Sequence, residues 1–236
     1  SDAEGSTLTY SSNQIVQGGN LLLNSNGQFT FTPFSNWFGS QSIAISVCDN
    51  QGGCSVSQLT IQVTAVNDAP ASSPANLTSN EDQTLNGNIL SFCSDVEGSS
   101  LTFSIQSAPT TGAITLNPNG SFAYQPAINY FGNVSFTYQV CDASNSCVNG
   151  IVSIAISNIN DAPNAPNFSI NTNEDATASG TFSGITDLDN NTLTITLSTP
   201  AQHGIFSIAS NGNYTYVPNA NYFGTETLTY QVCDPF

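Results

Sequence analysis

The sequence predicts an all-β protein built as tandem seven-stranded sandwiches in an elongated array, and three observations predict it. A set of motifs returns every 92 to 93 residues, short runs alternate apolar with polar residues between Asn, Gly and Pro, and no segment carries a helical period. Asn-Trp-Phe-Gly at 36–39 returns as Asn-Tyr-Phe-Gly at 129–132 and 221–224. Asn-Asp-Ala-Pro at 67–70 returns at 160–163, and Val-Cys-Asp at 47–49 returns at 140–142 and 232–234. With the Asn-Asp/Ala-Pro junctions as boundaries, residues 69–161 form one complete unit. Residues 1–68 then form a unit lacking its first quarter, and 162–236 a unit lacking its last strand. The chain is expected to be an excerpt of a longer array.

In the complete unit the first two strands are expected at 77–85 and 88–92, followed by β-rich runs at 101–105 and 112–116. The strand at 121–124 follows Asn117-Pro-Asn-Gly120, a hairpin signal because Asn and Gly tolerate positive φ; Asn26-Gly27 and Asn211-Gly212 stand at the same place. Two further runs, 134–140 and 151–156, complete the set. Seven short strands in about 93 residues fit an immunoglobulin-like sandwich. A domain of that size can bury a core of its own.

Composition removes whole classes of function. The 236 residues include no Lys or Arg, one His and 16 acids, a formal charge of −16. Nucleic-acid binding needs cations to displace counterions from phosphates, a phosphate-cradling loop needs its Lys, and anionic lipid needs a basic patch. No apolar run approaches the roughly 20 residues of a membrane span. With 39% apolar residues, 14 Phe and 8 Tyr, the chain is expected to fold rather than remain disordered. An enzyme is the least expected reading, because no convergent set of reactive residues stands outside the acids.

Fifteen of the 16 acids occupy six recurrent positions. Asp2, Asp95 and Asp187 share one; Glu4, Glu97 and Asp189 a second; Asp49, Asp142 and Asp234 a third. Asp68 pairs with Asp161, Glu81 with Glu174 and Asp82 with Asp175, leaving only Glu226 outside the pattern. Threading the strands up and down gathers Asp68, Asp95, Glu97 and Asp142 where the first unit meets the second. It gathers Asp161, Asp187, Asp189 and Asp234 where the second meets the third, with Glu81 and Asp82 approaching from above. Crowded carboxylates repel unless a cation neutralises them, and this chain has no side-chain cation to offer. Ca2+, a hard ion with six to eight oxygen ligands, is the expected partner ahead of Mg2+, which demands strict octahedral geometry. Taken singly, each acid could instead cap a turn.

These residues resemble the cadherin-like tandem repeats of large bacterial surface proteins and secreted adhesins. The resemblance spans the chain: the Asn-Asp-Ala-Pro junctions, Asn80-Glu81-Asp82 and Asn173-Glu174-Asp175, Asp95-Val-Glu97-Gly98, the Asn-Tyr-Phe-Gly turn and Tyr-Gln-Val-Cys-Asp. It implies Ca2+ held at each junction by a linker Asp, a Glu from the preceding unit's first strand, and an acidic x-separated pair plus a strand-end Asp of the following unit. Asp161, Glu81, Asp187, Asp189 and Asp234 match those roles at one junction, and Asp68, Asp95, Glu97 and Asp142 at the other. One departure is plain: the family carries an acidic pair in the loop before the sixth strand, and residues 126–132 contain no acid. That loss implies fewer ions per junction, weaker binding, or none at some junctions.

Cys48 and Cys54, and Cys141 and Cys147, bracket the last hairpin of their units, and a disulfide across each is the simplest reading in an oxidising compartment. A zinc site would lack ligands, each unit offering two close sulfurs and no nearby His. Cys233 is expected to pair beyond position 236, and Cys93 is left either to an intermolecular bridge or to a buried thiol. Trp37, Tyr130 and Tyr222, beside Phe38, Phe131 and Phe223, are expected to pack the recurrent turn rather than stack sugars. His203 is expected to be an ordinary loop residue. Sequons at Asn76, Asn133, Asn167, Asn190 and Asn213 imply surface exposure.

The expected function is therefore structural: an extender segment of an extracellular, cell-surface adhesin or appendage. Its partners would be neighbouring repeats of the same chain, with no nucleic acid and no membrane insertion by this segment. A self-assembling homo-oligomeric filament, bridged through Cys93, and a glycan- or protein-binding adhesin module are the alternatives.

Overall fold

The computed structural model describes residues 5–189 and 192–235; Asp2, Glu4 and Asn190 lie outside them. The first unit contributes β1 (Thr9–Ser11), β2 (Gly19–Leu23), β3 (Phe29–Pro33), β4 (Gly39–Cys48) and β5 (Cys54–Val63). The second contributes β6 (Ala71–Ser72), β7 (Ala75–Asn80), β8 (Leu85–Asn88), β9 (Cys93–Ser94), β10 (Thr102–Ser107), β11 (Ala113–Leu116), β12 (Ser121–Gln125), β13 (Gly132–Cys141) and β14 (Cys147–Ser157). The third contributes β15 (Ala178–Thr181), β16 (Thr194–Leu197), β17 (Gly204–Ile208), β18 (Asn213–Pro218) and β19 (Tyr230–Cys233).

The middle unit is a sandwich of one sheet ordered β10-β13-β14-β7 and another ordered β11-β12-β8. Alternation along β13 sends Val134, Phe136, Tyr138 and Val140 into the core, where they meet Val152, Ile154 and Ile156 of β14 and Phe122 and Tyr124 of β12. Phe122 and Phe136 cross edge to face across the two sheets at 5.8 Å. Burying each such ring contributes about 2–3 kcal/mol.

The pairing of β14 decides where the acids go. It runs antiparallel to β13 from Gly132↔Ile156 to Cys141↔Cys147, and parallel to β7 with Ser157 beside Asn80. Two strands that end side by side deliver their next residues to the same place, and the Glu81 N–H donates to the Ser157 carbonyl at 3.0 Å. The first strand therefore hands Glu81 to the linker that leaves the unit.

The second unit departs from the sequence expectation in its first quarter. The run 77–85 is broken after Asn80, because Asp82 adopts a left-handed conformation (φ 56°) and accepts the Asn129 N–H at 2.9 Å. The run 88–92 is not a strand: the Asn88 side chain accepts the Leu90 N–H at 2.8 Å and starts a short 3-10 turn, Leu90–Phe92. Extended backbone resumes as β9, which pairs with β6.

Among the described residues, Ile43 is the fully buried large apolar side chain outside the middle unit, with Ile45 nearly so. The first unit shows a β1-β4-β5 sheet and a β2-β3 hairpin, the third a β15-β18-β17 sheet and a β16-β19 pair. Leu59, Ile61 and Val63 of β5 are half-buried, where the equivalent Val152, Ile154 and Ile156, flanked by β7, are buried. The accessible surface is 14483 Å², against about 10,000 Å² for a compact protein of this mass, so the chain does not fold around one common core.

Candidate metal centre

At the second joint, carboxylate oxygens of Glu81, Asp161 and Asp189 lie within 4.8 Å of one another. Glu81 comes from the end of β7, Asp161 from the linker, and Asp189 from the loop that precedes β16. Glu81 is 3% exposed, and its Oε1 accepts the Ile159 N–H at 2.6 Å. Asp189 accepts the Asp161 N–H on Oδ2 at 2.6 Å and the Asn158 amide on Oδ1 at 2.7 Å. Asp187 stands behind it, its Oδ1 accepting the Asp189 N–H at 2.9 Å. Asp234 accepts the Asn160 amide at 2.9 Å.

The first joint repeats the linker hydrogen bonds but, among the described residues, does not bring three of its carboxylates together as the second does. The Glu97 carboxylate accepts the Asp68 N–H at 3.0 Å, and Asp142 Oδ2 accepts the Asn67 amide at 2.7 Å. Asp142 Oδ1 accepts the Ser144 and Ser146 N–H groups at 2.8 Å each, so one oxygen organises the β13–β14 hairpin and the other faces the linker. The Asn67 hydrogen bond, followed by those of Ser146 and Ser144, holds this carboxyl below its ordinary range against the opposing pull of burial. Asp95 accepts the Ser99 N–H on Oδ1 at 2.8 Å, while its Oδ2 is buried without a hydrogen-bond partner. A buried anionic oxygen with no donor is costly, and a hard cation is the partner its chemistry asks for.

Not every recurrent acid turns to the joint. Asp82 and Asp175 both have positive φ, and each caps the Asn of the Asn-Tyr-Phe-Gly turn (Asn129, Asn221) at 2.9 Å. Asp82 thus departs from the expectation that it approaches the linker beside Glu81. Asp49 caps its own hairpin through Gln51 and Gly53.

The residues that sequence reasoning missed are the linker amides. Asn67 and Asn160 stand in the recurrent Asn-Asp pair, but only the acid had been assigned a role there. Glu226, the acid outside the pattern, occupies the position of buried Val134 and accepts from the Gln202 and His203 N–H groups and from the Tyr216 hydroxyl. Its signal was its very failure to recur. The His203 ring stacks on Tyr222 at 4.4 Å.

Disulfides join Cys48 to Cys54 and Cys141 to Cys147. Cys93 is half-buried against the core, its sulfur 3.4 Å from the Tyr138 hydroxyl, and Cys233 is an exposed thiol. In the recurrent turn Trp37 packs on Phe31, and the Tyr130 hydroxyl donates to the Asn133 carbonyl. The following Phe38, Phe131 and Phe223 point outward instead, with Phe223 85% exposed. Among the described residues no helix is long and apolar enough to cross a membrane.

The bacterial cadherin-like domain family matches residues 1–65 and 160–236, and the bacterial Ig domain family matches 67–155. Among solved structures, human CDH23 EC21-23 is 17% identical over 92% of this chain and 80% of that one, with a TM-score of 0.60. Protocadherin Gamma B2 extracellular cadherin domains 3-6 match at 15% identity and TM-score 0.59, over 99% of this chain and 64% of that one. Domains 1-5 of the same protein match at 15% identity and TM-score 0.51, over 90% of this chain, which spans 45% of their length. At such identities the likeness concerns the fold. No curated protein matches the chain in sequence.

Proposed function

This chain belongs to the bacterial cadherin-like domain family, and from that premise we propose that it is an extracellular extender, a segment of a rod of sandwich units that holds an adhesive surface structure away from its cell. Ca2+ stiffens its joints. The observation that carries this reading is the convergence of Glu81, Asp161 and Asp189 from one unit, the linker and the next unit, within 4.8 Å. An ion bound there ties three pieces of chain together. Asp187 and Asp234 complete the acidic set at that joint, and Asp68, Asp95, Glu97 and Asp142 supply the other. An all-oxygen donor set without sulfur or imidazole suits Ca2+.

The filament alternative, with copies bridged through Cys93, is less well supported, because that thiol is half-buried and engaged with Tyr138. The extender reading is tested by calorimetry and small-angle scattering of the chain in EDTA and in millimolar Ca2+. Ca2+ is expected to raise the melting temperature and narrow the distribution of inter-unit distances, and Asp189→Asn to blunt both at the second joint. Identical melting and scattering with and without Ca2+ sink the reading.

A further inference from the structure

We propose that each linker is clasped to the unit that follows it by N–H···carboxylate hydrogen bonds that need no ion, so that the metal-free joint bends on the N-terminal side of the Asn-Asp pair. The inference goes beyond the Ca2+ reading and does not depend on it. At the first joint the Asn67 amide donates to Asp142 at 2.7 Å and to the Ser146 hydroxyl at 3.0 Å, and the Asp68 N–H donates to Glu97 at 3.0 Å. At the second, the Asp161 N–H donates to Asp189 and the Asn160 amide donates to Asp234. All these acceptors belong to the following unit. They lie in two different loops of it, so the linker is held from two sides.

Charge explains why this arrangement works without a cation. With no Lys or Arg in the chain, N–H groups are the positive ends these carboxylates meet, those of the linker joining those of the hairpin at Asp142. Hydrogen bonds to an ionised acceptor are roughly twice as strong as neutral ones. Pro70, just past the first Asn-Asp pair, is buried, which fixes the far end of the clasp; Ala71 and Ser72 then pair with Ser94 and Cys93. The backward tie is thinner. Across the second joint two side-chain hydrogen bonds involve the preceding unit, the Ile159 N–H on Glu81 and the amide of Asn158, just past the end of β14, on Asp189. Metal-free bending is therefore placed at residues 64–66 and 158–159, past the end of β14, while Asp68 and Asp161 move with the unit ahead. Ca2+ would then act on the preceding side, by drawing Glu81 to an already docked linker.

The test is amide hydrogen exchange, resolved by NMR, on the chain in EDTA. The Asp68 and Asp161 amides are expected to exchange at least tenfold more slowly than in an unstructured peptide. Glu97→Ala and Asp189→Ala should each abolish protection at their own joint. Glu97→Gln and Asp189→Asn, which keep an acceptor oxygen but lose the charge, should retain most of it while losing the response to Ca2+. Protection of the Val152 and Ile154 amides in β14 reports that the middle unit stays folded in Glu97→Ala. If Asp68 and Asp161 exchange freely in EDTA and are protected only by Ca2+, the clasp is overturned and the ion reading stands. If they are protected in EDTA and Ca2+ changes nothing anywhere, the clasp stands and the ion reading falls.

Discussion

Replacing Glu81 with Gln should change stability in opposite directions depending on whether Ca2+ is present. The Glu81 carboxylate is buried and lies within 4.8 Å of those of Asp161 and Asp189. Two unit charges at that separation repel by roughly 0.9 kcal/mol in water and about 3.5 kcal/mol at an effective dielectric constant near 20. Asp161 and Asp189 are half-buried, which favours the lower end, so the two pairs together cost about 2 kcal/mol in the metal-free chain. Gln keeps an oxygen for the Ile159 N–H, now 2.6 Å from Oε1, but loses the charge assistance of that bond, about 1 kcal/mol. The variant should therefore be more stable than the parent in EDTA by about 1 kcal/mol, or roughly 4–8 °C for a domain of this size. In Ca2+ at about a hundred times its dissociation constant the parent gains about 2.7 kcal/mol by linkage, which the variant largely forgoes. The order of melting temperatures should then invert. Differential scanning calorimetry in EDTA at low salt and in Ca2+ measures both. A variant less stable than the parent by the same amount in both buffers would refute the reasoning and leave Glu81 as a plain acceptor for the linker.

Three further predictions follow from the geometry. Because the Asn67 bond holds Asp142 below its ordinary carboxyl range, its stabilisation is present above the unfolded value of about 3.9 and is lost as pH falls through the folded one. Amide exchange at Ser144 and Ser146 should rise in that acid window, and Asn67→Ala should move the Asp142 titration upward by NMR. Burial, then the Glu226 hydrogen bond, pushes the Tyr216 phenol up to about 12; Glu226→Gln should lower its spectrophotometric midpoint, which stays above the usual value of about 10 because burial remains. The Cys141–Cys147 bridge closes a loop of sequence separation 6, so the double Ser variant should lose roughly 2–2.5 kcal/mol in urea unfolding, an unchanged midpoint being the contrary result.

Much of the site could be seen in the sequence, because the repeat overlays each acid on its counterpart and strand reversal sends it to one end of a unit. Periodicity is a local property, and it placed the long strands β13 and β14 within a few residues. It failed where a single side chain overrules the run. Asp82 in the left-handed region breaks what reads as one strand from 77 to 85, and Asn88 turns 88–92 into a 3-10 turn. Cys93 could be either exposed or buried by composition; it meets Tyr138 where the β6–β9 pairing sets Ser72 beside Cys93 and Ala71 beside Ser94, residues distant in sequence.

The sequence by itself determined the all-β class, the repeat, the absence of internal cations and the recurrence of the acids. Hydrophobic alternation and the Asn and Gly turns act over a few residues, and charge can simply be counted. Only the tertiary structure decided which acids face one another. Glu81 and Asp82 are neighbours in sequence, yet one meets Asp161 and Asp189 at the joint and the other caps Asn129. The parallel register of β7 on β14 ends both strands at the linker, and a positive φ at Asp82 rotates the next side chain away from it. Tertiary structure also gave the linker Asn residues their partners, since an amide has no charge to reveal it until folding brings a carboxylate from 75 residues away to within hydrogen-bonding distance.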